Sequence, residues 1–343
     1  MSPRSVPLES GRRLRRILLL AFVLGAVLVV LAPLANGPLE DNGYDPLVNK
    51  LQLRILTYVA MFIVLAAGWN IIGGLAGYAA FGNVAFFGLG AYATGALIAQ
   101  QHVPFAFALL AAPLAPAAFA ALIGIPLLRL RGHYFAVSTL GVSVAVGEVV
   151  KNIDFLGGST GLFLPILRRS DLLFYYLMVG AAALAIGVTW LILHTRFGYG
   201  LLAIRENEEA AAVIGVPTTA YKVAAFVIAA ALSGLAGGVF AQWNSFINQE
   251  NVFPIEVNVQ MILMAVLGGA GTLFGPVAGA IALELLIQGL AGRGEVAVYA
   301  QMGLGVLLAA TVLFIPRGVV DFFGGRSRLN LGHFRRSLRE TSI

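Results

Sequence analysis

Arg205, Glu206, Glu208 and Glu209 crowd five positions of a chain in which only 11% of residues carry charge. Such side chains on a short helix can make polar contacts to a second polypeptide. Ala210 to Ala212, strong helix formers, follow them, and Gly215 with Pro217 just beyond forms a helix stop. The spacing predicts one short amphipathic helix over 205–215, inside the hydrophilic loop 195–222. Two further carboxylates, Glu148 and Glu284, fall within apolar runs, where an ionisable group suggests function by default. Glu148 lies near a span end and is expected to be hydrated. Glu284 lies deeper, where it can meet a substrate ammonium or a partner subunit. The chain has no cysteine, which excludes disulfides, thiolate metal sites and thiol nucleophiles. His102 and His194 sit at span ends and no His-Glu-x-x-His pair exists, so neither a metal site nor a catalytic residue is assigned. A phosphate-binding loop needs Gly-Lys-Ser/Thr, whereas Lys50, Lys151 and Lys222 follow Asn, Val and Tyr. ATP hydrolysis is therefore not expected from this chain.

The elements that position these residues are apolar runs. Of 343 residues 59% are hydrophobic, and soluble domains average about 25% charged residues, so this chain cannot cover a water-facing surface. From Ile55 to Leu128 there is no Asp, Glu, Lys or Arg. Helices are predicted near 55–73, 81–100 and 105–128, with further runs at 17–35, 134–150, 172–194, 221–243, 257–267, 276–290 and 298–315. A bilayer crossing takes roughly 20 residues, so the expectation is an all-α polytopic membrane bundle of about ten helices (8–10). The run at 257 is short for a full crossing, unless it is tilted or continues through the glycines after it. The predicted organisation is a basic N-tail over 1–16, a transmembrane domain over 17–316 and a basic C-tail over 317–343. The run at 17–35 is longer than a signal-peptide core and is expected to be retained. With both ends cytoplasmic, sixteen basic residues fall on the cytoplasmic side and six outside, as the positive-inside rule demands. The same distribution explains the net charge of +6 as a topology signal, so no nucleic-acid partner is expected. Arg129, Arg131 and His133, at a cytoplasmic junction, are expected to anchor at lipid headgroups.

Three blocks carry a resemblance. Glu209-Ala210-Ala211 followed by Gly215 is the core of the loop that ATP-binding-cassette (ABC) importer permeases present to their ATPase. It sits in the longer run from Arg196 to Ala241, and the blocks Gly77–Leu97 and Met261–Ala280 complete the pattern in the same order. From about Ile55 to Pro316 the chain resembles the LivM-like, M-type permeases of branched-chain amino-acid importers. Two departures stand out: the Ile-x-Leu-Pro ending of the fuller loop signature is absent, and Asn83 stands in Phe81-Gly82-Asn83-Val84-Ala85 where relatives often read Ser-Leu-Gly-His-Ala. The resemblance implies a permease subunit in the inner (plasma) membrane of a prokaryote. It implies a second, related permease, two ATPases that bind ATP and Mg, and an extracytoplasmic solute-binding protein. It also implies ATPase coupling through Arg205, Glu206, Glu208, Glu209, Ala210 and Gly215, with branched-chain or other small amino acids as cargo.

Glycines cluster at two places, Gly77, Gly82, Gly88 and Gly90 in one and Gly268, Gly269, Gly271 and Gly275 in the other. They suit close helix packing or broken helices whose exposed backbone ends meet a solute. Phe81-Gly82-Asn83-Val84-Ala85 and Phe274-Gly275-Pro276-Val277-Ala278 share four of five residues, a local repeat after each cluster. Asn70, Asn83, Tyr92, Ser138, Thr139 and Glu284 are the candidates for a solute path, and hydrogen bonding between helices is the alternative use of the same groups. An ion-coupled secondary transporter is the competing function; Glu284 alone would be a thin supply of titrating groups for it. An intramembrane enzyme would need a nucleophile–base pair, and none is visible.

Overall fold

Helix α1, Lys50–Trp69, continues as a π-helical segment, Asn70–Leu75. This is a computed structural model, and it describes residues 48–167 and 170–291, with Pro33 in isolation. The predicted tails and the runs at 17–35 and 298–315 lie outside the described residues. The remaining helices are α2 (Val84–Ala99), α3 (Phe105–Ala108), α4 (Ala111–Leu127), α5 (His133–Lys151), α6 (Ser170–Leu193), α7 (Arg196–Glu206), α8 (Glu208–Val213), α9 (Thr218–Asn244), α10 (Gln249–Val252), α11 (Ile255–Gly269) and α12 (Gly275–Ala291). Among the described residues, six stretches are long and apolar enough to cross a membrane: Lys50–Leu75, Phe105–Leu127, His133–Lys151, Asp171–Leu193, Thr218–Asn244 and Gln249–Gly269.

Two expected crossings come out short. Helix α2 has 16 residues, about 24 Å at 1.5 Å per residue, below the ~30 Å hydrocarbon thickness. Helix α12 is likewise among the shorter apolar helices. The physical reason is shared, since each begins just after a glycine-rich break. The run at 257 does continue through glycine, α11 ending at Gly269.

Helix α1 is buried on every side from Val59 to Trp69, and α2 is almost as enclosed. A helix apolar all round belongs in the interior. Helices α4, α5 and α6 form the rim and expose Leu114, Leu122, Val137, Val144, Leu184 and Leu191. Against lipid tails such side chains carry no penalty, so helix association rests on close packing. That packing is close between α2 and α9, where Gly90 lies against the Gly234 backbone and Gly237 against the Phe87 carbonyl.

Among the described residues the bundle is helical apart from a two-residue antiparallel ribbon that the sequence did not suggest. Strand β1, Leu162–Phe163, pairs with β2, Phe246–Ile247, in the register Leu162–Ile247 and Phe163–Phe246. It ties the α5–α6 loop to the α9–α10 loop.

The single helix expected over 205–215 is two helices. Asn207 adopts φ −161° and ψ 108°, ends α7 and caps α8, its side chain accepting from the Ala210 N–H. An asparagine at an N-cap satisfies a donor that the helix start leaves free, so the chain bends at this residue. The far end meets expectation. Gly215, at φ +88°, donates to the Ala212 carbonyl and Val216 donates to the Ala211 carbonyl. This pair of bonds is the Schellman closure, and the left-handed backbone it requires suits glycine.

Candidate functional site

The loop between α6 and α9 meets the bundle through two contacts on either side of Asn207. The first belongs to Glu208, which faces inward rather than out. Its carboxylate accepts from Lys222 Nζ at 2.6 Å and from the Tyr78 hydroxyl, and the Arg131 guanidinium stands 3.9 Å away. Lys222 Nζ also donates to the Leu128 carbonyl and to Tyr78 Oη, each at 3.0 Å. The Lys222 side chain is 4% exposed and that of Glu208 17%. A buried ammonium is costly unless paired and hydrogen-bonded, and here its three bonds come from three different parts of the chain. Arg131 reaches Glu209 at 2.8 Å, an engagement with the loop that the sequence did not suggest.

Burial by itself raises the Glu208 carboxyl pKa, but the hydrogen bonds from Lys222 and Tyr78 and the nearby cations outweigh it, leaving the group below its ordinary value. The Tyr78 phenol is pushed up, first by burial and then by its bond to Glu208, and so remains a donor. A depressed carboxylate contributes stability that is present above its unfolded pKa and lost as pH falls through the folded one. Relative to Glu208→Gln, the solubilised protein should therefore hold its advantage in unfolding temperature down to about pH 4.5 and lose it below. Parallel curves for the two proteins across that range would refute the assignment.

The second contact belongs to Arg205, whose Nη1 donates to the Gly74 carbonyl at 2.8 Å. Behind it the two glycine clusters form a joint. The Asn70 side chain donates to the Thr272 carbonyl at 3.0 Å and accepts from the Gly271 N–H at 2.7 Å, so the break after α1 is stapled to the break after α11. Trp69 Nε1 donates to the Ala80 carbonyl at 2.7 Å, closing the first break. The Thr272 hydroxyl donates to Gly269 and accepts from the Gly275 N–H, closing the second. Gly268 and Gly275 meet backbone to backbone, Gly82 abuts the Thr139 carbonyl and Gly88 abuts the Phe253 ring.

The remaining expected residues separate by their bonding. Asn70 is committed to the joint. The Thr139 hydroxyl donates to Ala136 and accepts from the Phe81 N–H, so it too is spent on structure. Glu284 is buried and accepts from Gln288 at 2.7 Å, and Ser138 is partly buried on α5. Asn83 and Tyr92 are buried, and neither the Asn83 amide nor the Tyr92 hydroxyl has a hydrogen-bond partner. Ser233, another polar residue within an apolar run, and Thr94, which was not singled out from the sequence, share that condition. On the outer surface of the loop between α6 and α9, Glu206, Glu209 and Ala210 are exposed. Val213 and Ile214 project from the end of α8 at 87% and 75% exposure. At the opposite end of α1, Lys50, Arg54, Tyr58, Asp171 and Trp243 line a concavity of about 410 Å³.

Apolar helices, two of them short after glycine breaks, and a charged loop pinned to the bundle on both sides of Asn207 define a polytopic membrane protein. The chain belongs to the family of branched-chain amino acid transport system permease components, which it matches over residues 51–314. It is 28% identical over 321 residues to the high-affinity branched-chain amino acid transport system permease protein LivM of Salmonella typhimurium and to that of Escherichia coli. Each match covers 83% of this chain and 74% of the relative. A shorter stretch, 39% of this chain and 42% of the relative, is 28% identical to the autoinducer 2 import system permease protein LsrC of Photorhabdus luminescens. No solved structure matches the chain. The protein is thus a membrane permease subunit of an ABC importer, and its family is one of transport components rather than of enzymes.

Proposed function

We propose that the chain translocates branched-chain or other small amino acids across the inner membrane of a prokaryote, driven by separate ATPase subunits that dock on α8. The observation that carries the docking is the exposed Val213–Ile214 knob, held at a fixed orientation by the Gly215 closure and by the Glu208–Lys222 pair. Two bare apolar side chains beside Glu206 and Glu209 suit a groove on a partner, with apolar anchors at the centre and charges at the rim. The functional complex comprises this chain, a second related permease, two ATPases that bind ATP and Mg, and a solute-binding protein on the outer side. The chain crosses the membrane about ten times with both ends in the cytoplasm, a topology supported by the sixteen-to-six division of basic residues. Asn83 and Tyr92, buried with unpaired polar atoms, lie on the solute path. A buried polar group without a partner costs about 1–3 kcal/mol, and contact with a zwitterion would offset that cost.

The test is co-purification of the ATPase subunits of this transport system, together with leucine uptake. Val213→Asp and Glu209→Lys should each insert normally, lose the ATPase from the purified complex and abolish uptake. Wild-type recovery of ATPase and of uptake in both variants would remove α8 as the docking element.

A further inference from the structure

Arg205 lies where three segments converge. It is the penultimate residue of α7, two positions before the bend at Asn207. Its Nη1 bonds the Gly74 carbonyl in the break after α1, and the same nitrogen packs on Gly271 in the break after α11, where an added methyl would collide with it. Its aliphatic stem rests against Gly77, where a methyl would stand 3.0 Å from Cγ. Gly77 and Gly271 have φ of +77° and +84°, so both glycines turn the backbone as well as leave room for this side chain. The two breaks are joined to each other by Asn70. The next residue after Gly77 is Tyr78, which Glu208 grips from the other side of the bend.

We infer that Arg205 is the positioning residue that transmits movement of the docked loop to the paired helix breaks, and that it takes no part in holding the ATPase. The inference rests on the docking proposed above and adds the route inward. A guanidinium suits the task because it presents several donors in one plane and its bond to a carbonyl is charge-assisted. Displacing α7 then pulls on Gly74 and presses on Gly271 together, so the two breaks respond as a pair.

The experiment uses the whole importer reconstituted in lipid vesicles with its binding protein, and reads solute transported per ATP hydrolysed. Arg205→Ala should retain the ATPase subunits and lower that ratio on the order of tenfold, within the usual span of coupling between sites. Arg205→Lys, which keeps the charge without the planar fork, should fall between. Gly271→Ala should reproduce the loss with Arg205 intact. An unchanged ratio in Arg205→Ala overturns the inference, as does loss of the ATPase subunits, which would make Arg205 a docking residue. Should Arg205→Ala fail to fold, Arg205→Lys decides: a wild-type ratio overturns the inference and a reduced one supports it. ATPase subunits that still co-purify with Val213→Asp defeat the docking reading instead, so the two failures are separable.

Discussion

Lys222→Met destabilises the purified protein by about 3 kcal/mol, read as a lower unfolding temperature in detergent. The substitution keeps the side chain's bulk and removes the ammonium that satisfies Glu208, Tyr78 and the Leu128 carbonyl together. Breaking a buried ion pair from one side is worth roughly 3–5 kcal/mol because the other charge stays behind. The lower end applies here, since Glu208 keeps some contact with water and retains Arg131 nearby. Adding Glu208→Gln to Lys222→Met should recover part of the loss, because no unpaired charge then remains. A single variant as stable as the double would show that the carboxylate left unpaired costs nothing, and a single variant as stable as wild type that the pair contributes nothing. The same variants should also weaken transport, as they release the segment that Tyr78 anchors.

The second large effect is steric and discriminates among glycines of similar appearance. Gly237→Ala and Gly90→Ala each place a methyl inside a neighbouring backbone, the Phe87 carbonyl and the Gly234 chain. Neither neighbour is the end of a flexible side chain, so α2 and α9 must separate, and overpacking of this kind costs about 1–3 kcal/mol or more. Both variants should run as aggregates on size exclusion. Gly180→Ala and Gly187→Ala on α6 meet nothing within 4 Å and should be neutral or gain up to about 1 kcal/mol of helix propensity. Equal behaviour of the two groups would contradict the packing described.

Helix positions were legible wherever charge was absent. The runs at 105–128 and 134–150 correspond to Phe105–Leu127 and His133–Lys151, because a bilayer core selects for composition more than for sequence detail. The start of α9 was missed by three residues, at Thr218 rather than 221, since Lys222 reads as a loop residue until its pairing with Glu208 is known. The bend at Asn207 did leave a signal, an asparagine followed by two acidic residues, which is a helix-start pattern. The alanines after it masked that pattern. Partners were not legible at all: Tyr78 and Glu208 are separated by 130 positions, and only the tertiary fold brings them together. Likewise nothing local distinguishes Asn70, fully bonded, from Asn83, fully unbonded.

The seam between α2 and α9 limits how this molecule can change shape. Where Gly90 meets Gly234 and Gly237 meets Phe87, main-chain atoms touch with no side chain between them to repack, and the Phe86–Phe226 and Phe87–Phe240 ring pairs also join the two helices, so one cannot slide or roll past the other in small steps. They must travel as a single rigid block. Any opening and closing during a transport cycle is thereby confined to the pivots at the ends of that block and to its boundary with a neighbouring subunit.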